Sequence, residues 1–151
     1  MDLEAQENKK NILYMDIAKR ISQESKDFTT KVGAVIVKDN RILSMGYNGA
    51  PKNFPDDDLP VSSDASLPLI EQKNTYMIHA ELNSILNYNG YIKNLEGATL
   101  YVTVSPCTEC AKVLIQVGIK TIYYLEEYHR SEIWNASKKL LDIGGVKYYK
   151  F

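Results

Sequence analysis

Cysteine is nearly absent from this 151-residue chain: there are two, and both stand in the hexapeptide Ser105-Pro106-Cys107-Thr108-Glu109-Cys110. An excess of either charge is missing too, since 18 Lys and Arg against 19 Asp and Glu leave a net charge of −1. A long nucleic-acid polymer as main ligand would call for a basic footprint, so this balance argues against one. It does not exclude a single nucleotide, whose one phosphate needs only a few local donors. No run approaches the ~18 apolar residues of a membrane span. The opening stretch, MDLEAQENKKNILYMDIAKR, is charged throughout, unlike a signal or transit peptide. Internal repeats and low-complexity tracts are lacking. With two thiols and no export signal, a reducing cytoplasm away from membranes is the expected compartment.

What remains is ordinary for a globular domain, with 44% hydrophobic and 25% charged residues. A chain of this length fits one domain over 1–151, able to bury roughly 68–70% of its unfolded surface. Leu13, Ile17 and Ile21, with Ala18 beside them, recur at helical spacing and predict a helix over 9–25. The runs 32–37 and 42–47 flank a KDNR turn and read as a hairpin. A helix follows over 79–88 through Leu82, Ile85 and Leu86. Residues 98–104, rich in β-branched and aromatic side chains, read as a buried strand. A helix over 107–117 stops at Gly118, a strand covers 120–125, and Ser131 caps a helix to Ile143 through Ile133, Ala136, Leu140 and Leu141. Residues 146–151 close as a strand. The order αββαβαβαβ predicts an α/β fold: a sheet covered by helices, parallel wherever a helix intervenes. Between the hairpin and the second helix, residues 49–75 hold four prolines and three successive aspartates. A loop of that length is usually functional or disordered; it runs directly into the next motif, which favours function.

Two thiols within four positions of each other can be a reducible disulfide, two small buried side chains, or half of a metal site. A metal site needs a third ligand, and His79 in His79-Ala80-Glu81 supplies one. Catalytic zinc takes three protein ligands and keeps a fourth position for water. Cys107 and Cys110, three residues apart on a helix start, direct their sulfurs to one face, where the positive end of the helix favours thiolates. Glu81, two residues past the imidazole, is a carboxylate placed to move protons beside a metal-activated water. His-x-Glu followed by Pro-Cys-x-x-Cys is the signature of zinc nucleobase deaminases. Here His79 precedes Cys107 by 28 residues, room for a helix, a loop and a strand.

The stretches HAELNSIL, PCTECAKVLIQVGIK and VGAVIV…GYNGAP, with DDDLP after the GYNG loop and the ending GGVKYYKF, resemble the deoxycytidylate (dCMP) deaminases of the cytidine deaminase superfamily. The likeness runs from about Tyr14 to Phe151. It implies a cytidine deaminase-like three-layer α/β/α fold, with a mixed five-stranded sheet flanked by helices. It also implies zinc-dependent hydrolysis of dCMP to dUMP and ammonia, within pyrimidine nucleotide metabolism. His79, Cys107 and Cys110 correspond to the ligands of one catalytic Zn2+, and Glu81 to the proton shuttle. Asn48 matches a position that binds the sugar hydroxyl or phosphate. Tyr128 and His129 fall where sugar and phosphate are recognised, and the Ala80 backbone N–H is expected to hold the pyrimidine 2-oxo group. Members form homohexamers and are often regulated by dCTP and dTTP near the GYNG loop, which places Gly46, Tyr47 and Gly49 as regulatory candidates.

Three departures stand out. Many members hold a second, structural zinc before HAE through extra Cys and His, but there is no other Cys here and His129 is the only other His, so no second zinc is expected. Ser105 stands where many carry Phe. Thr29 stands where several bacterial members carry Arg, leaving Lys31, Lys52 and Arg130 as candidate charges for the phosphate. The rival readings are another deaminase, acting on free cytidine, a tRNA adenosine, guanine or a riboflavin-pathway pyrimidine, and a catalytically silent zinc-stabilised scaffold that binds nucleotides. The retained Glu81 argues against the scaffold, which does not need it.

Overall fold

The computed structural model describes residues 3–55 and 57–151. Met1, Asp2 and the Asp56 of DDDLP lie outside the described residues, so the expected domain over 1–151 is described without them. Helix α1 (Leu3–Ser22) leads into strands β1 (Gly33–Lys38) and β2 (Arg41–Tyr47); α2 (Ala80–Leu86), β3 (Thr99–Val104), α3 (Thr108–Val117), β4 (Thr121–Glu126), α4 (Ser131–Ile143) and β5 (Lys147–Lys150) follow. The five strands form one sheet in the order β2-β1-β3-β4-β5. β1 pairs antiparallel with β2 and β3, whereas β3, β4 and β5 run parallel, each joined to the next through a helix. This is the expected mixed sheet.

The β1–β2 turn is made by Asp39 and Asn40, both at positive φ (53° and 61°), the pairing that matches the twist of a two-residue hairpin. Alternation then divides the core. Ala34, Ile36, Leu100, Val102, Ile122 and Tyr124 face α2, α3 and α4, and Val35, Val37 and Tyr101 face α1. Helices therefore cover both faces. On the α4 side, Trp134 meets Tyr124 and Tyr148 edge-on, with centroids 5.1 and 5.7 Å away.

Three helical faces differ from expectation. α2 ends at Leu86, which is 64% exposed, and buries Ala80, Glu81, Ser84 and Ile85, because it packs on the edge strand β2. In α1 the buried line is Tyr14, Met15 and Ala18, while Leu13 is 52% exposed. The helix also starts earlier and ends at Ser22 rather than at 25, since Ser25 turns inward and its hydroxyl donates to the Asn48 carbonyl. In α4, Trp134, Ser137 and Leu141 are buried and Ala136 is not. Bulk decides the last two cases: the large rings fill the gap above the sheet, and the helix rotates to admit them.

α1 lies hard against β1 at Gly33, where a Cβ would stand 2.1 Å from the Ala18 carbonyl oxygen and 2.7 Å from the Ser22 nitrogen. Both are backbone atoms and cannot rotate away. Gly33→Ala is therefore expected to cost about 3 kcal/mol, the upper end for overpacking, read as a lower urea midpoint with an unchanged slope. Among the described residues, no helix is long and apolar enough to cross a membrane.

Candidate metal centre and its pocket

The parallel strands point their carboxyl ends at one edge of the sheet, where open α/β sheets bind ligands. The chain leaving β3 reaches Pro106 and then Cys107, which takes the N-cap position of α3, with Cys110 in the first turn. His79 occupies the N-cap position of α2, with Glu81 in its first turn. Two helix starts thus converge, as the motif spacing predicts.

α2 is anchored to the edge strand β2. Asn83 and Asn87 donate from their amides to the carbonyls of Tyr47 and Met45 (2.8 and 3.0 Å), and Ser44 donates to the Ser84 carbonyl (2.7 Å). The approach is close enough that a Cβ on Gly46 would lie 2.6 Å from the Ser84 nitrogen. Packing against α2 thus accounts for Gly46, the first glycine of GYNG.

The His79 Nδ1 lies 3.3 Å from the Cys107 Sγ and 3.5 Å from the Cys110 Sγ. The three ligand atoms lie within 4.8 Å of one another, and both thiols are free of disulfide. The imidazole-to-sulfur edge of a tetrahedral zinc site is about 3.6 Å, from Zn–N and Zn–S bonds of about 2.05 and 2.3 Å. The separations and the donor chemistry both fit one zinc ion.

The electrostatics show the same demand for a cation. Hydrogen bonding to Cys107 raises the His79 imidazole to about 9 against the opposing pull of burial. The Cys107 thiol is pushed down to about 4, chiefly by its hydrogen bond from Cys110, with His79 adding to the effect. Cys110 is correspondingly raised, through that same bond and through burial.

Glu81 is 4% exposed. Burial raises its carboxyl to about 7, while the neighbouring His79 charge and a hydrogen bond from Cys110 pull the other way. A carboxyl near neutrality serves both as proton acceptor and as proton donor.

The pocket over these groups is also lined by Asn48, Ser105, Tyr128 and His129, together with Asp27 and Lys73. Tyr128 and His129 stack with centroids 4.7 Å apart and close one side. Their position is set by Ser105, 1% exposed, whose Oγ accepts the Tyr128 N–H at 2.7 Å while its own N–H donates to the Glu126 carbonyl at 2.8 Å. Ala80, first residue of α2, has a backbone N–H without an intrahelical partner and borders the same space. A second hollow lies beside the GYNG loop, with Tyr47, Gly49, Phe28 and Phe54 in its wall; Asn48, Asp27 and Lys73 line both.

Sequence reasoning missed Asp27 and Lys73. Their side chains are 1% and 8% exposed and join at 3.0 Å, yet each reads as a surface charge in a polar stretch. Asp27 carried one usable signal, the following Thr-Thr: it accepts the N–H of both Thr29 and Thr30 (2.9 and 3.1 Å), the local turn that aspartate favours. Lys73 carried none. By contrast Lys31, Lys52 and Arg130 are exposed and do not line the pocket; Arg130 pairs with Glu132.

A buried carboxyl beside a set of one imidazole and two cysteine sulfurs belongs to a metal-dependent hydrolase. A family profile described as "Cytidine and deoxycytidylate deaminase zinc-binding region" matches residues 8–126. The chain belongs to that family. It is 46% identical to a "Probable deoxycytidylate deaminase" of Drosophila melanogaster over 84% of this chain and 64% of that protein, so it spans a little under two thirds of that relative's length. It is 41% identical to the deoxycytidylate deaminase of Homo sapiens over 91% of this chain and 77% of that one. The crystal structure of the dCMP deaminase of cyanophage S-TIM5, in complex with dCMP and dUMP, superposes with a TM-score of 0.73 at 30% identity, covering 100% of this chain and 99% of the other. The fold expected from the resemblance is thereby borne out.

Proposed function

We propose that this chain, as one deaminase domain over 1–151, catalyses zinc-dependent hydrolytic deamination of dCMP to dUMP and ammonia. The observation that carries the reading is Glu81, a buried carboxyl raised toward neutrality beside the convergent His79, Cys107 and Cys110. The curated and structural relatives named for dCMP support the substrate.

In this reading His79, Cys107 and Cys110 would hold the ion. Bound zinc supplies acidification of a water, which becomes the nucleophile near neutral pH. Glu81 takes a proton from that water and delivers it to N3 of the ring, which makes C4 electrophilic. The water oxygen adds to C4, and Glu81 carries the proton still on that oxygen to the 4-amino group. The C4–N bond then breaks and ammonia leaves, leaving the C4 carbonyl of dUMP. The Ala80 N–H holds the 2-oxo group, which fixes the ring face.

For Asn48 the hydrogen bonds support the sugar hydroxyl rather than the phosphate as its ligand. Its Oδ1 accepts the Val32 N–H at 2.9 Å, and its Nδ2 donates to the Thr30 carbonyl at 2.9 Å and toward Asp27 Oδ2 at 3.4 Å. Both amide protons are engaged, while Oδ1 keeps one lone pair. Asn48 therefore accepts from a sugar hydroxyl and does not donate to a phosphate. Tyr128 and His129 face the sugar and phosphate from the open side. Ser105→Ala removes the acceptor that fixes them, and is expected to raise KM for dCMP about two- to tenfold, the worth of one net hydrogen bond, with a smaller change in kcat in steady-state assays.

A homohexamer with dCTP and dTTP as effectors, in a cytoplasmic setting, completes the proposal. The hollow that reaches Tyr47 and Gly49 supports an effector site there, and two free buried thiols suit a reducing compartment. Ammonia release from dCMP, CMP, dCTP and deoxycytidine, measured side by side with and without dCTP, tests the reading. The expected order puts dCMP first; equal or faster turnover of deoxycytidine would remove dCMP as the substrate.

A further inference from the structure

The buried contact between Asp27 and Lys73 joins two segments 46 residues apart. Asp27 enters from the loop after α1 and Lys73 from the end of the long 49–75 segment, in a short 3-10 turn over Lys73–Thr75. The Lys73 Nζ lies 3.0 Å from Asp27 Oδ2 and 3.2 Å from Oδ1, and donates to the Thr29 Oγ1 at 2.6 Å. Thr29 in turn donates from Oγ1 to Asp27 Oδ1 at 3.0 Å. Burial pushes the Asp27 carboxyl up, but the N–H groups of Thr29 and Thr30 and the Lys73 ammonium together outweigh it, and it stays ionised below its ordinary range. Its contribution to stability is thus fully present above the unfolded value of 3.8 and is lost as pH falls below that.

This arrangement has a direction. Asp27 holds the Thr30 N–H, and the Thr30 carbonyl holds the Asn48 amide, which also faces Asp27 Oδ2. These contacts hold the NH2 of Asn48 on Thr30 and Asp27, so Oδ1, which accepts the Val32 N–H, is the end of the amide that keeps a free lone pair in a residue lining the pocket. An ionised carboxylate only accepts, so it cannot pair with a flipped Asn48. The N–H groups of Thr29 and Thr30, with the Lys73 ammonium beside them, keep that carboxylate ionised.

We propose that Asp27 and Lys73 are positioning residues that fix the acceptor of Asn48 for the sugar 3′-hydroxyl, so that the end of the 49–75 segment sets discrimination at the sugar. The inference rests on the reading of Asn48 as the sugar-hydroxyl acceptor. Neither residue carries a proton in the reaction. They act on which nucleotide is held, and that separates their role from general support of the fold.

The test compares kcat/KM for dCMP with that for 2′,3′-dideoxycytidine 5′-monophosphate, which lacks the hydroxyl. The zinc-loaded wild-type enzyme is expected to favour dCMP about tenfold, the value of one well-placed hydrogen bond. Asp27→Asn keeps the shape but sets an NH2 group against the amide of Asn48. The ratio is expected to fall to within about twofold of unity, because the loss is taken on dCMP. Where an unpaired Lys73 ammonium prevents folding, the double variant Asp27→Asn/Lys73→Met removes both charges together and is expected to show the same collapse. Zinc content and circular dichroism identify folded enzyme. A folded double variant that slows on both substrates alike, with the wild-type ratio kept, overturns the positioning role and leaves Asn48 untouched. A wild-type ratio near one overturns the Asn48 reading itself, and the inference with it.

Discussion

Glu81→Gln is expected to lower kcat for dCMP by about 10²–10⁴-fold, the range for a positioned general acid and base, while the protein keeps one zinc per chain. The amide matches the carboxyl in size but cannot accept the first proton or deliver the second. The side chain is buried at 4% exposure, so water cannot readily take over its role. The fold has no reason to suffer: burial disfavours the Glu81 carboxylate, and a neutral amide avoids that cost. Single-turnover deamination with metal analysis on the same sample checks both halves. A variant with normal turnover would make Glu81 a structural carboxyl and return the chain to the scaffold reading.

Loss of a ligand has a different signature. Cys110→Ala leaves His79 and Cys107 on separate helices with no third donor, and metal content is expected to fall below about a tenth of stoichiometric, taking dCMP turnover to background. Stability falls with it, because binding to the folded chain is folding free energy. Zinc at a thousandfold above its dissociation constant contributes about 4 kcal/mol, which in a chain of this size is roughly 8–16 °C of thermal midpoint. Stripping the wild-type protein with a chelator should produce the same downshift, reversed by added zinc. Glu81→Gln should show no such shift. A Cys110→Ala protein that held stoichiometric metal and melted normally would overturn the assignment of Cys110 as a ligand. The two variants together separate the ion's contribution from the proton shuttle's.

The candidate ligands and the proposed shuttle were legible because their geometry is local. Two residues between Cys107 and Cys110, and one between His79 and Glu81, place each pair on one helical turn wherever that helix lies. The hairpin at Asp39-Asn40 and the parallel strands joined by helices were legible for the same reason: turn chemistry and periodicity act over a few residues. The rotation of α1 was not, since Leu13 and Tyr14 are both apolar and only the space above β1 and β3 chooses between them.

The amino-acid order alone determined the chemistry of this protein: which donors exist, that only one zinc set is on offer, and that a carboxylate accompanies it. Tertiary structure decided what surrounds that chemistry. Asp27 and Lys73, Ser105 and the Tyr128 N–H, and the engaged amide of Asn48 are all pairings between segments 18 to 46 residues apart. No local pattern encodes such pairs. Their meeting depends on strand order and crossover, and a charge that reads as solvated in the chain becomes a buried, directional contact only once the sheet has brought its partner to the same edge.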